Sequence, residues 1–164
     1  MSECIFCQIV QGNAPSWKIM ENDYCYAFLD INPVSKYHTL VIPKKHFENI
    51  FEIDEKYLTE VSLMIRNLCK IYRSKLGVSN LQIVNSNGVE GQQDVFHIHF
   101  HIVPRSYGDG QNIRWKTHPE WRKDFDPVEF NACCLLNDIF EILGRSRSVL
   151  EFRVVIRIYG SGKK

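Results

Sequence analysis

The chain has 164 residues, 45% of them hydrophobic and 24% charged, and 20 Lys+Arg against 19 Asp+Glu leave a net charge of +1. Such a length suits one domain with its own core, and the apolar fraction excludes a disordered polymer. The near-neutral balance excludes a surface built throughout for nucleic acid or acidic lipid, and no apolar run approaches the roughly 18 residues of a membrane span.

Residues 4–10 form a short apolar segment, and the stretch from Gly12 to Pro15 turns the chain. Residues 17–29 read as a strand pair, WKIMEN and CYAFLD, bent at Glu21-Asn22-Asp23. Asn32-Pro33 marks another turn, and HTLVIP at 38–43 is a β-branched run stopped by Pro43. The spacing of Leu58, Val61, Leu63, Ile65, Leu68 and Ile71-Tyr72 predicts a helix over 54–76, with Asp54 as N-cap and Gly77 as the stop. LQIV at 81–84 is a strand, 85–91 is a loop rich in Asn and Gly, and 95–103 (VFHIHFHIV) is a further strand. Beyond it, 109–126 reads as a polar loop, 127–143 as an amphipathic helix, and 149–159 as an extra strand or an adherent basic tail. Strands paired through short turns around one long helix predict an α+β fold with an antiparallel sheet.

Histidine carries the chemistry. Three of the six His lie within five residues, at 97, 99 and 101, and in a strand such positions share one face. Ile98, Phe100 and Ile102 would face the core. Three imidazoles in register can hold a metal, or can divide nucleophile, proton-transfer and orienting roles near neutral pH. The adjacent amide-rich loop and Arg105, both suited to anionic oxygens, favour a phosphate site.

The run His97-Ile98-His99-Phe100-His101-Ile102-Val103 resembles the signature of the histidine-triad (HIT) family. CIFCQIVQGNAPS, AFLDINP, HTLVIPKKH, NGVEGQQDVFHIHFHIVPR and WKTHPE also resemble segments of its Hint-like, zinc-carrying bacterial-type branch, in order, over about residues 3–121. The resemblance implies a five-stranded antiparallel sheet with helices, paired into a homodimer with a continuous sheet. It divides the chain into a HIT domain, 1–122, and a C-terminal helix and basic tail, 123–164. It also implies a hydrolase or nucleotidyl transferase acting at the α-phosphate of purine nucleotides, with adenosine 5′-phosphoramidates as substrates. A dinucleoside polyphosphate hydrolase and a non-catalytic nucleotide-binding regulator are the alternatives.

Under that resemblance His99 is the nucleophile, His101 contacts the phosphate, and His38 orients the site from the opposite side. Asp30 accepts hydrogen bonds from the ribose, and Ile5, Phe6, Ile9, Phe28 and Ile31 wall the base. Ser86, Gln93 and Asp94 fall in the phosphate-binding loop. Asp94 stands where many relatives carry Ser or Thr and would repel a phosphate. Ser86 replaces a frequent Asn, and Tyr37 replaces the Gly usual before His38, narrowing the entrance.

Cys4-x-x-Cys7 is half of a metal site. His46 and His97 are the candidates to complete it, and in zinc-carrying members those positions do so as a structural Cys2His2 site. The alternative is a pair of plain thiols beside a surface His46. The remaining cysteines (25, 69, 133, 134) have no ligand spacing, and no signal peptide is visible, so the expectation is a cytoplasmic protein with reduced thiols and no nucleic-acid or membrane partner.

Overall fold

A computed structural model describes residues 4–111 and 117–120. The chain divides into two compact units, Met1–Ile113 and Arg114–Lys164, and the fold below is that of the first. The helix expected over 127–143 and the tail over 149–159 lie outside the described residues.

The order is α1 (Ile5–Val10), β1 (Trp17–Glu21), β2 (Cys25–Leu29), β3 (Thr39–Pro43), α2 (Glu55–Leu76), β4 (Asn80–Val84) and β5 (Phe100–Arg105). All strands pair antiparallel in one five-stranded sheet of order β1-β2-β3-β5-β4. This is the expected α+β architecture. No helix among the described residues is long and apolar enough to cross a membrane.

Both faces of the sheet centre are covered, which explains why HTLVIP is apolar without alternation. Cys25, Ala27, Val41 and Ile102 pack with Val61, Met64, Ile65, Leu68 and Tyr72 of α2 on one face. Tyr26, Phe28, Leu40 and Ile42 pack with Phe6 and Ile9 of α1 on the other. Val61, Met64, Ile65, Leu68 and Tyr72 follow i, i+3, i+4, i+7 spacing and make a single stripe. Leu63 and Ile71 fall off that stripe and stay exposed.

Three local outcomes refine the sequence reading. The segment 4–10 winds into α1, docked by Phe6, Cys7 and Ile9. Asp54 occupies the N-cap of α2 but makes no capping hydrogen bond, and its carboxylate meets Lys45 Nζ at 2.9 Å. At the other end Gly77 does close the helix in the left-handed conformation, φ 68°. The third concerns β5, which starts at Phe100 rather than Val95, so His97 and His99 precede the strand. The backbone there is diverted to loops, with the Ile98 N–H donating to Phe47 O at 2.7 Å and the His97 N–H to Val95 O at 2.8 Å.

Candidate functional site

The three imidazoles therefore do not share one strand face. His97 turns into a cluster with Cys4, Cys7 and His46, while His99 and His101 line a cleft of about 400 Å³ between α1 and β2.

His99 is 5% exposed, and its Nδ1 lies 2.8 Å from the carbonyl of His97. A carbonyl only accepts, so Nδ1 carries the proton and Nε2 keeps its lone pair. Phe6 meets the ring edge-on at 5.3 Å and fixes its plane. The carbonyl of His99 accepts from Asn85 Nδ2 at 2.9 Å, and Asn85 Oδ1 in turn accepts from Asn87 Nδ2 at 2.6 Å.

His101 stands opposite Leu40 in the β3–β5 register, and His38 lies just before β3 on the same face. That diagonal brings His38 Nε2 to 2.9 Å from His101 Nδ1. The Val34 N–H donates to His38 Nδ1 at 3.3 Å, which places the His38 proton on Nε2, donated to His101. His101 then carries its own proton on Nε2, on the far side of the ring from His38. Asp30 Oδ2 lies 3.6 Å from His38 Nδ1 and 3.9 Å from His101 Nδ1.

Burial pushes His101 down to about 4, helped by repulsion from His99 and His38 and opposed by Asp30 and Asp94. His38 is also lowered by burial, against the pull of Asp30. The unfolded chain takes up the His101 proton near 6.5, so between these values it binds more protons than the folded chain. Stability is therefore expected to fall as pH drops from about 6.5 towards about 4. Urea midpoints at about pH 7 and about pH 5 test this: His101→Asn should lose less between them than wild type. Equal losses would remove His101 as the source.

Ile5, Phe6, Ile9, Phe28 and Ile31 all line the cleft, with Asp30 and Asp94. Ile5 and Ile31 are open to solvent, at 48% and 76% exposure. Ser86 and Gln93 do not line it. Gln93 is buried, with its Nε2 donating to Glu48 O at 2.6 Å and Val95 O at 3.0 Å, and its Oε1 accepting from the Gly88 N–H at 2.8 Å. The amides of this loop thus hold backbone. Gly91 is part of the same tight turn, where a Cβ would sit 2.3 Å from Asn87 O.

Arg105 is likewise committed. Its Nε and Nη2 reach Asp109 at 2.7 and 2.9 Å, and its guanidinium also bonds Gln82 and Gln111 O, away from the cleft. Tyr37 does not narrow the cleft. Its backbone takes φ 67°, a conformation that suits Gly, and its ring packs 6.2 Å from Tyr72 on the α2 side. The sixth histidine, His118, meets Glu120 at 2.9 Å.

The second cluster is a candidate metal centre. His97 Nδ1 lies 3.5 Å from Cys4 Sγ, 3.6 Å from Cys7 Sγ and 3.2 Å from His46 Nδ1, and Cys7 Sγ lies 3.4 Å from His46 Nδ1. A tetrahedral ion with bonds of about 2.3 Å to sulfur and about 2.0–2.1 Å to nitrogen needs edges of about 3.6 Å (S to N) and about 3.3 Å (N to N). The donor set and spacing fit. His97 also donates Nε2–H to Pro43 O at 2.9 Å, the outer hydrogen bond that fixes a ligating imidazole. Burial lowers His97 to about 4, which keeps it neutral, as a ligand must be. Cys25 and Cys69 lie elsewhere, and burial raises the Cys25 thiol to about 12.

Several known proteins share this chain's pattern. The crystal structure of a HIT family protein from Bacillus subtilis superposes with TM-score 0.69 at 37% identity, covering 90% of this chain and 99% of that one. A Zn-bound histidine triad family protein from Mycobacterium smegmatis gives TM-score 0.64 at 33% identity, over 73% of this chain and 86% of that one. Adenosine 5′-monophosphoramidase of Saccharomyces cerevisiae is 36% identical over 126 residues, 76% of this chain and 75% of its own length. The sequence profile of the HIT domain matches residues 11–108, a span that contains β1–β5, α2, His38, His99 and His101, and the chain belongs to the HIT domain family.

Proposed function

We propose that the protein hydrolyses purine nucleoside 5′-phosphoramidates, adenosine 5′-phosphoramidate in the first instance, through a covalent nucleotidyl-His99. The observation that carries this reading is the Nδ1–H bond from His99 to the His97 carbonyl, which leaves Nε2 unprotonated beside the cleft. The phosphoramidase name of the yeast relative supports the substrate class.

In this reading the apolar wall takes the base and Asp30 the ribose hydroxyls. His99 Nε2 attacks the α-phosphorus, the P–N bond breaks, and the leaving nitrogen takes a proton from water, while His101 Nε2–H hydrogen-bonds a phosphate oxygen. The hydroxide left behind then attacks the phosphorus, the P–Nε2 bond breaks, and the nucleotide departs. Splitting one displacement into two lowers each barrier. His38 holds His101 in the donating tautomer. Incubation with adenosine 5′-phosphoramidate is expected to release AMP, and release no faster than in the His99→Ala variant would refute the enzyme. The intact set of His38, His99 and His101 disfavours the purely regulatory binder.

Cys4, Cys7, His46 and His97 would hold a structural Zn²⁺, which also requires reduced thiols and so fits a cytoplasmic setting. When bound, the ion ties α1 and the segment before β5 to the end of β3.

The quaternary reading is a homodimer with a continuous sheet. β4 has one strand neighbour among the described residues, and Ile83 on it is 52% exposed beside a groove of about 620 Å³ shared with α2. An unpaired apolar edge is a natural partner for a second copy. Sedimentation should give a dimer for wild type and a shift to monomer for Ile83→Lys, and a monomeric wild type would refute the pairing.

A further inference from the structure

None of the residues lining the cleft is Lys or Arg. Arg105 is bound to Asp109, and Lys36 lies over the Tyr37 ring at 5.0 Å. The titratable groups on the lining are Asp30, Asp94, His99 and His101. Its formal negative charge comes from the two carboxylates alone.

These carboxylates differ. Asp30 is mostly buried; its Oδ1 accepts the Asn32 N–H at 2.8 Å and its Oδ2 faces His38 and His101. Asp94 is exposed and makes no hydrogen bond or ion pair with a described residue. Its negative charge nevertheless acts on His101. Its neighbours on both sides are anchored: Gln93 by three hydrogen bonds, Val95 by packing against the α1 cluster. Asp94 is thus an open carboxylate on an anchored stretch of backbone, lining the same cleft as His101. With the base on the apolar wall and the ribose at Asp30, the group across the phosphorus from the nucleoside is the part left to meet it.

We infer that Asp94 selects the leaving group by charge, favouring phosphoramidates whose departing amine bears a further cationic group over those ending in a carboxylate or a polyphosphate. This rests on the phosphoramidase reading and names its substrate class. An exposed carboxylate a few ångströms from a substrate charge supplies about a tenfold preference between opposite signs, shrinking as salt screens it.

The test uses the full chain and two adenosine 5′-phosphoramidates of matched length, one made with ethylenediamine and one with glycine. Wild type should show about a tenfold higher kcat/KM for the ethylenediamine compound at low salt. Asp94→Asn should bring the ratio close to unity, while Asp94→Glu, which keeps the charge, should retain the preference. A wild-type ratio near one, or a ratio unchanged in Asp94→Asn, overturns the inference. If neither compound releases AMP, the hydrolase reading fails separately. The same pair is then read by calorimetry as intact ligands, where a cationic preference lost in Asp94→Asn supports the charge selection and equal affinities overturn it.

Discussion

His99→Ala is expected to lower AMP release from adenosine 5′-phosphoramidate by about 10⁴-fold or more, the scale seen when a covalent nucleophile is removed. No neighbour can replace it. His101 Nδ1 accepts from His38 Nε2, and its remaining nitrogen carries a proton. His97 directs Nδ1 to the thiols and spends Nε2–H on Pro43 O. The Asp30 carboxylate is held by the Asn32 N–H and lies 3.6 Å or more from either imidazole. Single-turnover kinetics check the loss, and a denaturing mass spectrum of quenched wild type should show the nucleotidyl adduct. His99→Gly with added free imidazole should recover part of the rate. An alanine variant within tenfold of wild type would exclude His99 as the nucleophile.

On the zinc reading, loss of the metal from Cys4, Cys7, His46 and His97 is expected to have the largest effect on stability. Structural zinc supplies folding free energy directly, because the unfolded chain has no assembled site. Cys7 is buried, and α1 has only six residues, too few to be stable without tertiary anchors. Cys7→Ser, or exhaustive chelation of wild type, should cost about 3 kcal/mol or more and lower the thermal midpoint by about 10 °C. Chelation should add little to Cys7→Ser, since the two remove the same constraint. Activity should fall as well, because the carbonyl that sets the His99 tautomer belongs to His97, a member of the cluster. A protein purified after zinc-replete growth with under about half an equivalent of metal, and indifferent to chelator, would refute the site.

The two clusters differ in how far the chain alone revealed them. A Cys-x-x-Cys pair and two distant histidines give a donor inventory, and the inventory matched the four residues that come together. Two members of the imidazole run, His99 and His101, line the cleft with Ile5, Phe6, Ile9, Phe28 and Ile31, while His97 leaves it for the cysteines. The errors lie where a polar side chain had more than one possible partner. Arg105, Gln93 and the flanking asparagines look like phosphate donors in sequence, but buried backbone carbonyls and Asp109 claim them. Composition records a donor without recording what it bonds. A positive φ at Tyr37 carries no local signal either, because a bulky residue there contradicts the usual preference.

By itself, then, the sequence determined the antiparallel α+β sheet, the long helix ended at Gly77 and the residue types available for chemistry. These follow from hydrophobic periodicity and turn residues, which act over a few positions. Only the tertiary structure decided that β5 begins at Phe100, that His97 turns to the cysteines rather than to the cleft, and which nitrogen of each imidazole is protonated. The metal cluster depends on partners 39 to 93 residues away and the His38–His101 pair on residues 63 apart, while the His99 tautomer is set by the His97 carbonyl two residues away. Strand register and the competition for buried carbonyls settle them, and neither is a local property of the chain.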